Sequence, residues 1–276
     1  MADLPNLKKA KFVVYGDLPV SRGDRFPFDL LTQLTALQVR YIPYKIPDIR
    51  QKIRALLSRT TALQSLRIDI DHGEPEDGQC DLAAFLPDDG TAISVTSLTV
   101  AQTPLTLSAA CVRPLRNLTH LSVQEDYKRP KLHLPFWTAM KNENLHLQSL
   151  DVEPLTPGML SYIKSYSSLR RLVVNWPGDG QGPEGYEKLL DELYTVIPKH
   201  KDTLRVFFHG PKTPGPGPWC LNEERLQCLL ECTNLLRLDL VLFRPRQCES
   251  KSTRFHVFPT VSFSELSLQR WQMTDI

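Results

Sequence analysis

The sequence predicts an α/β protein, built as a right-handed coil of alternating strands and helices whose strands lie side by side in one parallel sheet. Three observations predict this fold. A short pattern with apolar residues at its first, fourth and sixth positions recurs along the chain at a mean interval of about 28 residues. Segments with the apolar spacing of helices lie between several copies. The 22 prolines among 276 residues favour frequent turns over a bundle of long helices.

The repeated pattern is L-x-x-L-x-L, and some copies are degenerate: the Leu7 copy has Ala10 and Phe12 at the fourth and sixth positions, and the Leu204 copy has Phe207 and His209. Its clearest copies begin at Leu63, Leu118, Leu169 and Leu235. The complete set begins at Leu7, Leu34, Leu63, Val95, Leu118, Leu147, Leu169, Leu204, Leu235 and Phe263. The pattern therefore predicts about ten strands, one for each copy.

Because side chains alternate along a strand, the apolar positions of the pattern and the positions between them point to opposite faces of the sheet. The first, fourth and sixth positions face a shared core, and the third, fifth and seventh positions face outward. Burial of three apolar side chains stabilises a copy by roughly 5–9 kcal/mol. Ordering its backbone costs several times more, at about 1–2 kcal/mol per residue. One copy therefore cannot fold alone, and we expect the copies to stack into a single domain over residues 1–276.

Four segments between the copies predict helices. They are Ile49–Leu57, the segment after Thr156-Pro157 that contains Leu160 and Ile163, Pro183–Lys199, and the segment after Asn222 that contains Leu226, Leu229 and Leu230. Neither end of the chain shows a polar cap over its terminal copy. We therefore expect an oligomer or partner to cover the ends, or the chain to be part of something longer.

Overall composition excludes several classes of protein. A formal net charge of +2 gives no bulk support for nucleic-acid binding, although the basic first strands keep that function as an alternative. The sequence lacks an apolar run of about 18 residues and an apolar leader, so no membrane span or secretory signal is predicted. Six cysteines without a closely spaced framework indicate reduced thiols in an intracellular protein, cytoplasmic or nuclear.

Motifs that carry chemistry are weak in this sequence. The glycine-rich loop Gly178–Gly185 lacks the G-K-[ST] ending of a phosphate-binding loop. Cys228 and Cys232 have no second ligand pair at a metal-binding spacing, and Cys232 is better explained as a buried core residue. The sequence therefore predicts no catalytic residue, cofactor or metal. An enzyme with a pocket beside loops 176–185 and 211–219 remains an alternative.

The outward strand positions are the predicted functional surface. Ten strands about 4.8 Å apart form a face roughly 43 Å long, which is enough for a folded protein partner. Arginines beside apolar side chains are typical of binding surfaces, whereas a merely solvated face is the alternative for each residue. The predicted partner-binding residues are Arg40, Arg67, His120, Asp151, Glu153, Arg171, Asn175, Phe208, Arg237 and Asp239.

The chain resembles divergent leucine-rich-repeat proteins of the F-box type. The resemblance is greatest to the irregular proteins of this type that basidiomycete fungi contain in large numbers. The resemblance lies in residues 168–174, 197–204, 219–220 and 229–238. It implies an irregular solenoid with its sheet on the concave face, whose repeats hold a substrate while an N-terminal F-box docks an SCF-type ubiquitin-ligase scaffold. No F-box-like helical module precedes Leu7, so the docking module is expected to be missing or supplied elsewhere. A structural scaffold without a ligase link is the alternative.

Overall fold

The structure is a computed structural model that describes residues 7–14, 31–41, 47–70, 80–88, 90–101, 105–124, 134–153, 155–176, 186–211 and 223–240. Within these ranges the strands are β1 (Lys9–Val14), β2 (Ala36–Tyr41), β3 (Ser65–Ile70), β4 (Cys80–Asp81), β5 (Ser97–Ala101), β6 (Leu105–Thr106), β7 (His120–Gln124), β8 (Ser149–Val152), β9 (Arg171–Trp176), β10 (Val206–Pro211) and β11 (Arg237–Leu240). The helices are α1 (Pro47–Arg59), α2 (Leu134–Asn142), α3 (Pro157–Ile163), α4 (Tyr186–Val196) and α5 (Glu223–Leu230). Single 3₁₀ turns cover Leu82–Phe85, Ala109–Cys111 and Ile197–His200.

The main sheet contains nine strands, all parallel, and it does not close on itself. Its order is β1-β2-β3-β5-β7-β8-β9-β10-β11, and β4 pairs with β6 in a separate two-stranded sheet. The chain is therefore an α/β protein with an open parallel sheet, as predicted. Each of the nine pattern copies within the described residues forms one strand, and the tenth copy at Phe263 lies outside them.

The register of the sheet repeats without slippage, because equivalent pattern positions pair throughout. Ala36 pairs with Ser65, Ser65 with Ser97, and Ser97 with His120. The third-position residues of β8, β9 and β10 pair with one another in the same way, and the series ends at Arg237 in β11. Every described strand therefore presents the same pattern positions to the same face.

A backbone ladder joins the copies just before the strands begin. The carbonyl of the second pattern residue accepts N–H groups from the second and third residues of the next copy. For example, Thr35 and Ala36 donate to the Lys8 carbonyl, and Leu236 and Arg237 donate to the Arg205 carbonyl. The eight such steps span 2.7 to 3.1 Å, so the copies are structurally equivalent and not merely similar in sequence.

The core lies between one face of the sheet and the connecting segments. The fourth and sixth pattern positions supply fully buried side chains such as Leu66, Ile68 and Leu150, as predicted. The first pattern positions from Leu34 to Leu235 are buried with them. The segments that connect the strands pack against one another in chain order, from α1 through the first two 3₁₀ turns to α2, α3, α4 and α5. The described residues therefore form two layers, and the opposite face of the sheet lies outside this core.

Three predicted helices agree well with the structure. Ile53, Leu56 and Leu57 bury the inner face of α1, and the Thr156 hydroxyl accepts the Met159 N–H at the start of α3. Helix α4 ends at Val196 and continues as the 3₁₀ turn that contains Ile197.

Two features of the predicted helices differ from the structure or were missed. Leu230 at the end of α5 was expected on the buried stripe, but it is exposed because only Leu229 of this pair faces the core. Helix α2 was not predicted, and it buries Phe136, Trp137 and Met140.

Candidate functional site

The candidate site is the face of the sheet that points away from the core, called the outer face below. It consists of the outward positions of the nine strands, arranged in parallel rows that follow from the register. The first row holds Lys9, Ala36, Ser65, Ser97, His120, Ser149, Arg171, Val206 and Arg237. The second row holds Lys11, Gln38, Arg67, Thr99, Ser122, Asp151, Val173, Phe208 and Asp239. The third row includes Val13, Arg40, Asp69, Ala101, Asn175 and Gly210.

At the β2–β3 end of the outer face, Asp69 gathers a polar network. Gln38 Nε2 donates to Asp69 Oδ2 at 2.8 Å, and Arg67 Nε lies 3.0 Å from both carboxylate oxygens. Arg67 and Asp69 meet because residues two apart in a strand share a face. Arg40 is exposed and aligns with Asp69 in the register. The predicted residues Arg40 and Arg67 are therefore accessible, although Arg67 already has a carboxylate partner.

The centre of the outer face is polar and largely neutral. His120 is exposed, and its Nδ1 lies 2.7 Å from the Thr119 hydroxyl. Asn175 Nδ2 donates to Asp151 Oδ1 at 2.9 Å, across the diagonal between β9 and β8. This bond orients both predicted residues along the face, where Asn175 presents a neutral amide and Asp151 a carboxylate.

The prediction that Glu153 is an accessible binding residue is wrong. Its relative exposure is only 3%, so a partner cannot reach it. The cause lies in the local backbone, because β8 ends at Val152 and Glu153 begins a bend. The alternation that holds within a strand no longer applies past its end.

The β9–β11 end of the outer face combines apolar and basic side chains. Val173 is buried at 6% exposure despite its outward position, and it aligns with the half-buried Phe208 in β10. Exposed Arg171 and Arg237 align with Val206 on either side in the first row. Arg237 Nε donates to Asp239 Oδ2 at 2.6 Å. The end of the face therefore offers a small apolar surface bordered by two guanidinium groups.

A basic edge at the start of the strands was missed by the sequence interpretation. The second and third pattern positions of the nine strands include six Lys or Arg residues and no Asp or Glu: Lys8, Lys9, Arg170, Arg171, Arg205 and Arg237. The prediction considered only the third, fifth and seventh positions, because only those face outward by alternation. The second position precedes the strand, and Lys8, Arg170 and Arg205 are exposed there. A count of charge at every non-leucine position of the pattern would have found this edge.

The buried polar groups near the site serve packing. His209 lies at an inward position of β10, 3.3 Å from the Tyr194 hydroxyl through Nδ1, and burial lowers its pKa to about 3. Cys232 is buried as predicted, and burial raises the pKa of its thiol to about 11. Burial likewise raises the pKa of Cys111 to about 12. At neutral pH these side chains are therefore an uncharged imidazole and protonated thiols, all of them buried.

Arg225 of α5 forms a charged cluster on the helical side. Its Nη2 lies 2.8 Å from Glu187 Oε2 and 2.7 Å from Asp191 Oδ1, both in α4. Its guanidinium carbon also lies 5.7 Å from the centre of the Tyr194 ring. These contacts join α5 to α4, so the cluster has a structural role in the last described copies.

A shallow depression of about 400 Å³ opens on the helical side, away from the outer face. Ala109, Arg113, Ala139 and Glu143 are among its lining residues. Arg113 and Glu143 pair at 3.3 Å across it and are well exposed, so it lacks the enclosed apolar walls of a typical ligand site. The edge loops where an enzyme pocket was an alternative, 177–185 and 212–219, lie outside the described residues.

The fold and the site together define an α/β protein with an open parallel sheet and an exposed face of mixed basic, polar and apolar character. Among the described residues, no helix is long and apolar enough to cross a membrane. The same residues contain no group of three or more His, Cys, Asp or Glu side chains placed to hold a metal ion. A scan against protein-family models finds no match for the sequence, and a search of curated proteins also finds none.

Proposed function

We propose that the chain is a protein-binding module of the leucine-rich-repeat solenoid type, with about ten repeats in a right-handed coil and its outer face on the concave side. A protein partner binds to that outer face. The repeated register and the eight-step backbone ladder support the solenoid, because both require one equivalent unit per pattern copy.

One observation carries the binding proposal. The end of the outer face keeps half-buried Val206 and Phe208 next to exposed Arg171 and Arg237, on the side of the sheet that the described chain leaves uncovered. Apolar area bordered by arginine is typical of the energetic centre of protein interfaces. The nine strands extend about 38 Å at about 4.8 Å per interval, which matches the length of a standard interface.

The experiment is a comparison of two double variants in affinity copurification. The first reverses charge on the outer face through Arg171→Glu and Arg237→Glu. The second is a matched control on the helical side, Lys141→Glu and Lys188→Glu, both at exposed positions. We expect a specific set of proteins to be lost only with the first variant. If both double variants copurify the same set of proteins, and their thermal unfolding is unchanged, the proposal is contradicted.

The more specific proposal is that the module recognises substrates for an SCF-type ubiquitin ligase. It rests on the resemblance of residues 168–174 and 229–238 to F-box proteins with leucine-rich repeats. An F-box coded upstream in the native transcript would support this role. A complete transcript without such a segment, together with an absence of ligase subunits among the copurified proteins, would leave a binding scaffold.

A further inference from the structure

Four arginines lie at the start of three neighbouring strands. Arg170 precedes β9 and Arg171 begins it, while Arg205 precedes β10 and Arg237 begins β11; we call these four residues the arginine cluster. Backbone hydrogen bonds fix their order, because the Arg205 N–H donates to the Arg170 carbonyl at 2.8 Å and the Arg237 N–H donates to the Arg205 carbonyl at 3.0 Å. At about 4.8 Å between strands, the cluster spans about 10 Å.

The cluster carries positive charge that the described chain does not neutralise. All four side chains are exposed. Within the described residues, no carboxylate forms an ion pair with Arg170, Arg171 or Arg205. Arg237 uses Nε for Asp239, which leaves its Nη groups available as donors. Several planar guanidinium groups therefore face solvent within a short distance, in a form that suits oxygen pairs of carboxylates.

Apolar side chains accompany these charges. Leu236 is 68% exposed and directly precedes Arg237. Val206 is half-buried and lies between Arg171 and Arg237 in the register. A ligand that spans the cluster thus meets apolar side chains both between the arginines, at Val206, and beside Arg237, at Leu236. This arrangement favours a ligand with an apolar side chain between acidic groups.

The surroundings favour a short peptide over a nucleic acid. Exposed Asp202 and Glu231 lie in the turns before β10 and β11, and Asp151 and Asp239 lie farther along the outer face. A continuous phosphate backbone that extended past the cluster in either direction would meet these carboxylates. The formal net charge of only +2 gives such a polyanion little further attraction. A short acidic segment can contact the arginines without reaching the acidic groups.

We propose that the arginine cluster binds a short acidic segment of the protein partner, in which Asp or Glu side chains pair with the guanidinium groups and an apolar side chain contacts Leu236 and Val206. This inference rests on the proposed function and specifies the partner's chemistry at one end of the outer face.

The test uses a fluorescein-labelled peptide of repeated Glu-Glu-Leu units, measured by fluorescence anisotropy with the full chain. We expect saturable binding at about 50 mM salt, with a dissociation constant below about 100 µM, and weaker binding at about 300 mM salt. A Lys-Lys-Leu peptide of equal length should not bind. The triple variant Arg170→Glu, Arg171→Glu and Arg205→Glu should weaken binding at least tenfold.

A matched triple variant separates local contacts from bulk charge. Lys141→Glu, Lys164→Glu and Lys188→Glu make the same change in net charge at exposed positions of the helical layer, and should leave the affinity within twofold. Circular dichroism melting checks that both triple variants fold.

Three results would overturn the inference: no binding of the acidic peptide, equal loss in both triple variants, or tighter binding of a single-stranded RNA of the same charge. The acidic peptide could fail to bind while the double variant Arg171→Glu, Arg237→Glu still loses copurified proteins. The outer face would then bind its partner by other chemistry, and the proposed function would stand.

Discussion

The Tyr162 hydroxyl in α3 donates a hydrogen bond to the Leu145 carbonyl at 2.7 Å, in the segment that precedes β8. The same oxygen accepts the Leu147 N–H at 3.2 Å. One buried side chain thus satisfies two backbone groups of the preceding copy, at a place where no strand ladder can reach them. Side-chain bonds of this kind join one copy to the next along the helical side.

Substitution Tyr162→Phe should destabilise the chain by about 1–3 kcal/mol, because it leaves a buried carbonyl and a buried N–H without their partner. Urea unfolding followed by circular dichroism measures this change. The matched control is Tyr166→Phe. Tyr166 packs beside Tyr162 in a tilted arrangement with ring centres 5.1 Å apart, and within the described residues its buried hydroxyl bonds no backbone group. If Tyr166→Phe lowers the free energy of unfolding as much as Tyr162→Phe does, the two hydrogen bonds of the Tyr162 hydroxyl contribute no stability of their own.

Stability should decrease in mild acid through His200. Its Nδ1 accepts the Leu169 N–H at 3.4 Å, so Nε2 carries the proton and donates to the Ile163 carbonyl at 3.1 Å. Burial lowers its pKa to about 4 in the folded chain. The unfolded chain takes up the proton first, near pH 6.5, so the stabilisation is complete above that pH and decreases as the pH falls towards 4.

This group alone should reduce the free energy of unfolding by about 2 kcal/mol between pH 7.5 and pH 5. The substitution His200→Gln removes its titration, so the difference between the two pH values should shrink by about that amount. His146→Gln, at an exposed histidine that stacks on Tyr166, is the control for the general effect of replacing a histidine by glutamine. An unchanged pH dependence in His200→Gln would contradict the assignment.

Gly158 in α3 allows that helix to approach α2 closely. A Cβ atom at this position would lie 3.1 Å from Leu134 Cδ1 and 3.1 Å from Trp137 Cδ1. Leu134 is exposed and can move, but Trp137 is buried and stacked on Tyr162 at 5.3 Å. Gly158→Ala should therefore destabilise the chain by about 1 kcal/mol, despite the better helix propensity of alanine. The control Ser161→Ala, at an exposed position of the same helix, should leave the stability almost unchanged. A Gly158→Ala variant more stable than wild type would show that the two helices can move apart without cost.

Arg225 should be poorly replaced by lysine. Its Nε and Nη2 both approach Asp191 Oδ1, at 3.1 Å and 2.7 Å, while Nη2 also reaches Glu187. A single ammonium group cannot reproduce this fork over the Tyr194 ring. Arg225→Lys should lower the free energy of unfolding by about 1 kcal/mol, since both carboxylates are partly solvated and gain water when the bonds weaken. Lys188→Arg is the conservative control in α4, and equal stability of Arg225→Lys and wild type would contradict a role for the fork.

The strands were predictable because a single local rule governs them. Eight of the nine described copies have apolar residues at all three positions, and the ninth has His209 at its sixth position. Alternation then decides the face of every intervening residue. The same rule anticipates the pairing of Arg67 with Asp69 and of Arg237 with Asp239, since residues two apart share a face. The rule does not extend beyond the strand, which is why Glu153 was placed wrongly.

The missed features lack a repeated signal. Helix α2 has apolar Phe136 and Met140 four residues apart and Pro135 in its first turn, but no Ser, Thr, Asp or Asn stands just before Leu134 to mark a helix start. Strands β4 and β6 have two residues each, too few to show any alternation. Arg170 and Arg205 were missed because the second pattern position precedes the strand, where alternation assigns no face.

The central claim is that a protein partner contacts the outer face of the sheet. Site-specific photocrosslinking tests it most directly, with a benzophenone amino acid in place of Ser149, which aligns with Arg171 on that face. The same probe in place of Lys141, exposed in α2, reports on the helical side. We expect the probe at position 149 to give a discrete crosslinked protein and the probe at position 141 to give none. Crosslinks from position 141 alone would contradict it.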